Sequence, residues 1–230
     1  MDFKYIYTRQ AAEYQRMIAA EDYEENLWAA LTQITPFQGK RVLDLGSGTG
    51  RIPLLLAGRG VTVVGLDLHR AMLREQQVQR ARVGGNWPLV QGDMRQLPFA
   101  DAAAEVVVAG WAIGHLCGWY PQNWQEQIAQ VLNEMQRVAA VGGTLIIIET
   151  LTTGSLTPAP PTAALAAYYA WLEEEKGFTR QALRTDYQFA SVEAAVAHTA
   201  FFFGEELAEM IRRNQWQRLP EWTGVWSRKA

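Results

Sequence analysis

Tyr14, Ile18, Tyr23, Leu27 and Leu31 recur at four- to five-residue spacing, close to what one face of an amphipathic helix requires. Residues 1–39 therefore predict one or two helices, ended by the breakers Pro36 and Gly39. The pattern then changes. Residues 41–45 form a short apolar run of strand character, 52–56 open an apolar helical segment, and 61–66 are rich in β-branched side chains. A further apolar run covers 105–109, and 123–139 place Ile128, Val131, Leu132, Met135 and Val138 on one helical stripe. Strands alternating with helices from 42 to 150 predict a parallel sheet with helices on both faces.

The regular alternation stops after Glu149. Residues 152–162 are rich in Thr, Gly, Pro and Ser, and Pro158-Ala159-Pro160-Pro161 demands an extended or turning loop. The aromatic segment that follows, with Tyr168, Tyr169, Trp171 and Leu172, reads as a helix that is either a lid or packed flat on the sheet. Residues 185–190 alternate like a strand, and Ser191 offers a partial helix cap. Val192, Val196, Phe202, Leu207, Met210 and Ile211 make an apolar stripe over two helices broken near Gly204. Residues 222–227 read as the last strand.

The chemistry is concentrated at 42–51, VLDLGSGTGR, where a strand must turn sharply into a helix through Gly46, Gly48 and Gly50. Glycine tolerates positive φ and lets backbone approach a ligand closely. A dinucleotide fingerprint would space its glycines G-x-G-x-x-G. Here the spacing is G-x-G-x-G with Arg51 in the place of the last glycine, and Asp44 precedes the turn, which disfavours a Rossmann oxidoreductase. Asp67 ends the second strand roughly 20 residues beyond the loop, where an acid meets a ribose.

Asp44, Gly46, Gly48 and Gly50 match the pattern D-x-G-x-G-x-G, so the loop resembles motif I of the class I S-adenosylmethionine-dependent methyltransferases. The Y-x-x-x-A-A-x-Y arrangement from Tyr7 to Tyr14 resembles the small-molecule, ubiquinone/menaquinone-biosynthesis-like group (methyltransferase type 11/25). The resemblance implies an α/β fold: a doubly wound, mostly parallel seven-stranded sheet with an antiparallel last strand and N-terminal helices. It implies S-adenosylmethionine as cofactor and S-adenosylhomocysteine as product. The cofactor residues it implies are Asp44, Gly46, Ser47, Gly48, Gly50 and Arg51 in the loop and Asp67 on the ribose hydroxyls. Leu68 would pack on the adenine, with Asp93 and the Met94 backbone at its amino edge; Gly110, Trp111 and Tyr14 complete the set. The expected organisation is one domain over 1–230: an N-terminal cap (1–39), a cofactor half (40–150), a lid insertion (151–183) and C-terminal strands and helix (184–230).

Methyl transfer from a sulfonium is an in-line displacement, so the protein mainly aligns the acceptor and excludes water. His115, just past the fourth strand, is the candidate general base, since an ordinary histidine titrates near ~6.5; otherwise it bonds the loop. Glu149 is a candidate substrate contact, His198 reads as surface or packing, and Trp111 and Trp119 suit an apolar or aromatic acceptor.

Composition narrows the partners. A net charge of −3 over 230 residues carries no nucleic-acid footprint, and Arg74, Arg80, Arg82 and Arg95 read as a solvated helix face. The single cysteine, Cys117, excludes an internal disulfide framework and a cysteine zinc cluster, so no metal is expected. The first ten residues are charged and lack an apolar core, and no run reaches the roughly 20 residues of a membrane span. The expectation is a cytoplasmic monomer or homodimer acting on a small molecule, with no nucleic acid and no membrane span. A catalytically silent S-adenosylmethionine-binding protein, acting as a regulator or partner subunit, is the alternative.

Overall fold

The computed structural model describes residues 3–230; Met1 and Asp2 of the charged first stretch lie outside them. Three helices, α1 (Phe3–Arg9), α2 (Ala11–Ile18) and α3 (Asn26–Ile34), precede β1 (Arg41–Leu45). The alternating half continues through α4 (Arg51–Leu56), β2 (Thr62–Asp67), α5 (Arg70–Arg82) and β3 (Leu89–Gln91). It ends with β4 (Ala104–Gly110), α6 (His115–Trp119), α7 (Trp124–Val138) and β5 (Ala139–Thr153). The remainder comprises α8 (Ala163–Glu174), β6 (Thr179–Arg184), β7 (Tyr187–Gln188), α9 (Val192–Phe203), α10 (Glu205–Asn214), β8 (Arg218–Leu219) and β9 (Glu221–Lys229).

Seven strands form one sheet in the order β3-β2-β1-β4-β5-β9-β6. β1 to β5 pair in parallel, and β9 inserts antiparallel between β5 and β6. The last strand is thus the reversed one, as the resemblance implies. Strands covered on both faces read as near-continuous apolar runs. In β4, Val106 and Val108 pack on one face with Ile146 and Ile148, while Val107 and Ala109 pack on the other with Leu145 and Ile147. Every one of these side chains is 0% exposed. Fully burying a branched aliphatic side chain contributes about 1.5–3 kcal/mol, so this central pair of strands anchors the sheet edge from which the loops after β1 and β4 emerge.

Three features depart from the sequence reading. Tyr23 is 63% exposed, in the turn between α2 and α3, so the apolar stripe of the cap belongs to two helices that bury Met17, Ile18, Leu27 and Leu31 separately. Residues 185–190 contribute only the two-residue β7, paired with β8 outside the main sheet. Tyr187 and Phe189 pack there against Leu207, Ile211 and Leu219 of the C-terminal lobe. The sixth strand of the main sheet is Thr179–Arg184 instead. Helix α8 lies flat on the sheet: Tyr169 donates to the Thr150 carbonyl at 2.8 Å, and its ring centre is 4.5 Å from that of Trp226. α9 and α10 break at Gly204, and Ser191 Oγ caps α9 by accepting from the Ala194 N–H. Among the described residues, no helix is long and apolar enough to cross a membrane.

Candidate functional site

The turn after β1 owes its shape to side chains that are missing. Gly46 has φ +70°, and a Cβ there would come 2.4 Å from Ala112 Cβ, inside any real contact. Gly48 turns its N–H onto Asp67 Oδ2 at 2.8 Å, while Asp67 Oδ1 accepts from the His69 N–H at 2.7 Å. Asp67 is thereby fixed at the end of β2, and its oxygens retain lone pairs for further donors. Beneath the loop, Ser47 Oγ lies 2.9 Å from the buried Gln76 amide. Thr49 bonds Gln15, which ties the loop to α2.

The space above this loop is bordered by Gly46, Ser47, Gly48, Arg51, Asp67, Leu68, Asp93, Met94, Gly110, Trp111, Tyr14 and His115. Its volume is about 140 Å³. Two expected residues stand back from it. Asp44 is 1% exposed beneath the loop, with Oδ2 unpartnered, and burial followed by the nearby Asp67 charge pushes its carboxyl well above the ordinary range. Gly50 faces helix α5, where a Cβ would meet Gln76 Cγ at 2.7 Å, so its role is close packing. Asp93 is present but engaged: Arg95 grips it through the side chain at 2.6–3.1 Å, and this holds its carboxyl below the usual range. Arg95 therefore belongs to this wall and not to a solvated helix face.

Trp111 has φ +51°, a strained backbone for a bulky residue and of a kind that clusters at functional sites. That turn brings its ring under the Arg51 guanidinium, 3.5 Å from the ring centre, while Arg51 also pairs with Glu21 at 2.7 Å. Arg51 and Trp111 border a second, larger cavity of about 1020 Å³, as do Tyr7, Tyr14, His115 and Trp119, all of which also border the first. His115 Nε2 lies 2.8 Å from Tyr7 Oη, and its ring stacks on Trp119 with centroids 5.3 Å apart. Burial and the neighbouring His69 pull the His115 pKa down to about 4, so its imidazole is neutral at physiological pH. Glu149 also borders this cavity, and burial raises its pKa to about 8 against the N–H bonds of Gly114 and Ile113. Cys117 is a buried thiol pushed up to about 12 by burial, which removes it as a nucleophile.

Residues 43–147 match a methyltransferase domain family. The demethylmenaquinone methyltransferase of Beutenbergia cavernae is 33% identical over 149 residues, 64% of this chain and 54% of that protein. The malonyl-[acyl-carrier protein] O-methyltransferase of Legionella pneumophila is 30% identical over 142 residues, 61% of this chain and 46% of that protein. A crystal structure of an S-adenosylmethionine-dependent methyltransferase from Aquifex aeolicus shares the fold at 16% identity, with a TM-score of 0.56 over 91% of this chain and 90% of that one. Within residues 43–147 the chain is thus similar to methyltransferases, and its fold is the one the solved methyltransferase shows. It spans about half the length of the two curated relatives. The [4+2]-cyclase SpnF has the same fold at 19% identity, with a TM-score of 0.56 over 89% of this chain and 80% of that one.

The matched methyltransferase domain ends before Glu149 and begins after the three N-terminal helices. The loop and Asp67 fall inside it, whereas Tyr7, Tyr14, Glu149 and Phe202 come from outside. Sequence reasoning missed Thr49, His69 and Met72 in the first cavity, and Phe202 and Phe203 in the second. His69 could have been found from its place two residues after the ribose-type acid. The two phenylalanines carry no signal beyond a helical stripe.

Proposed function

We propose that this chain transfers a methyl group from S-adenosylmethionine to a small-molecule acceptor held in the larger cavity. The observation that carries the reading is the junction of the two cavities at Tyr7, Tyr14, Arg51, Trp111, His115 and Trp119. S-adenosylmethionine supplies an activated methyl on a sulfonium. The fit of the first cavity rests on the side-chain-free turn at Gly46 and the fixed Asp67 carboxylate, which has acceptor capacity left for ribose hydroxyls. Leu68, 48% exposed, offers an apolar face to an adenine, and the Met94 backbone would meet the ring edge. Asp93, being held by Arg95, would reach an exocyclic amine only with its remaining lone pairs. Asp44, Ser47 and Gly50 support the loop from below.

On the acceptor side, Trp111, Trp119, Phe202 and Tyr14 give aromatic walls that exclude water and stack a flat molecule. His115, placed at the junction of the two cavities with Tyr7 holding its ring, takes the proton that an O–H or N–H acceptor must lose. Burial, which lowers its pKa to about 4, makes it a weak base that must pass that proton on. The protein acts as a cytoplasmic enzyme on this reading. The test is acceptor-dependent conversion of S-adenosylmethionine to S-adenosylhomocysteine, followed by mass spectrometry with a pool of small aromatic metabolites. Formation of both S-adenosylhomocysteine and a compound 14 Da heavier than its precursor (a methylene gain) supports it. A pool that yields neither across phenols, amines and enolisable ketones counts against it.

A further inference from the structure

Glu149 is a buried acid that holding the cofactor leaves unused. It is 6% exposed in β5, its Oε1 accepts the Gly114 N–H at 2.7 Å, and it borders the larger cavity beside Thr150, Leu165 and Tyr169. The titratable groups around it are all neutral ones: Cys117 from α6, Tyr168 and Tyr169 from α8, and Tyr7 from α1. Each of these is raised by burial, and His115, next to Gly114, is neutral as well. The cations bordering the cavity are engaged elsewhere. Arg51 closes on Glu21 and Trp111, and Lys4 sits 5.3 Å from the Trp119 ring centre. A carboxylate at this position would have no counter-ion among the described residues. A protonated carboxyl is a hydrogen-bond donor, which a carboxylate is not.

We propose that the Glu149 carboxyl donates a hydrogen bond to a carbonyl-type oxygen of the methyl acceptor, so that the cavity selects aromatic or apolar molecules carrying such an oxygen. This rests on the reading of the larger cavity as the acceptor site. The wall chemistry agrees with it: Phe202, Phe203 and Trp119 take the flat apolar body, and Glu149 supplies a directional polar point on the sheet side. A cationic acceptor gains no anionic partner from a neutral acid. A ketone or quinone-like oxygen gains a donor that water no longer supplies inside the cavity.

Calorimetry on the full chain saturated with S-adenosylhomocysteine tests this with two probes of one shape. 2-Acetonaphthone carries a carbonyl oxygen, and 2-isopropenylnaphthalene replaces it with a methylene. The ketone is expected to bind roughly tenfold tighter to the unaltered chain, the size of one good hydrogen bond. Glu149→Leu brings the two within about twofold, whereas Glu149→Gln, which keeps an N–H donor, retains the preference. Raising the pH from 7 to 9.5 ionises Glu149 and abolishes the preference in the unaltered chain but not in Glu149→Gln. Equal affinities in the unaltered chain, an unchanged ratio in Glu149→Leu, or no binding of either probe would overturn the proposal. If S-adenosylhomocysteine itself fails to bind the unaltered chain, the underlying reading fails instead.

Discussion

Tyr7 and His115, 108 positions apart, meet at 2.8 Å between the phenol oxygen and Nε2. The contact joins the N-terminal cap to the start of α6, and both residues border both cavities. Burial keeps Tyr7 a phenol and His115 an imidazole, so neither carries charge near neutral pH. A neutral pair can receive an acceptor's proton without first losing its own.

If this pair handles the proton, His115→Ala should lower kcat by about 10²-fold or more, the range of one positioned acid–base group. Tyr7→Phe should lower it less, since the ring still packs on His115. Affinity for S-adenosylhomocysteine, measured by calorimetry, should stay within about twofold in both. Equal losses of kcat and cofactor affinity would mean the pair only braces the cap.

The Glu149 carboxyl also makes stability depend on pH. Its folded pKa, about 8, stands above the ordinary value of 4.5. The native state therefore binds more protons than the unfolded chain between these values. The stabilising contribution is present in full below about pH 4.5 and is lost as pH rises through 8. Glu149→Gln has no proton to lose. Thermal unfolding at pH 5 and at pH 9 should show the unaltered chain losing ground to Glu149→Gln at the higher pH, by about 1.4 kcal/mol per unit of realised shift. A gap between the two proteins that does not change with pH would contradict this burial account.

The glycine turn offers a steric prediction. Gly46→Ala adds a Cβ 2.4 Å from Ala112 Cβ at a φ of +70°. The clash and the backbone strain together should cost about 2–4 kcal/mol in urea unfolding. The double variant Gly46→Ala, Ala112→Gly should recover the steric part and leave the strain. No recovery would show that the backbone conformation alone demands glycine.

What the sequence discloses here follows from where the physics is local. The strands β1, β2, β4 and β5 are buried on both faces, so their apolar runs stand out, and the Gly46–Gly48–Gly50 spacing reports a turn that backbone geometry imposes. β6 stayed hidden because it is the sheet's edge, with Thr179, Arg180, Gln181 and Ala182 exposed and no alternation to read. The alternation at 185–190 is real, yet Tyr187 and Phe189 are buried by α9 and α10 and not by the main sheet. Of the residues that border the first cavity, those in the loop and Asp67 are legible from spacing. The spacing also makes Asp44 and Gly50 expected cofactor residues, although burial and the closeness of Gln76 set them back from the cavity. The wall of the larger cavity draws on α1, α6, β5 and α9, a long-range convergence that no local pattern encodes.

The central claim is that the Gly46–Thr49 turn and Asp67 hold S-adenosylmethionine. Calorimetric titration of S-adenosylhomocysteine into the unaltered chain and into Asp67→Ala tests it most directly. The account predicts single-site binding that Asp67→Ala weakens by at least about tenfold, because ribose acceptors and the Gly48 and His69 N–H partner are lost together. Binding of unchanged affinity in Asp67→Ala, or none in the unaltered chain, would contradict it.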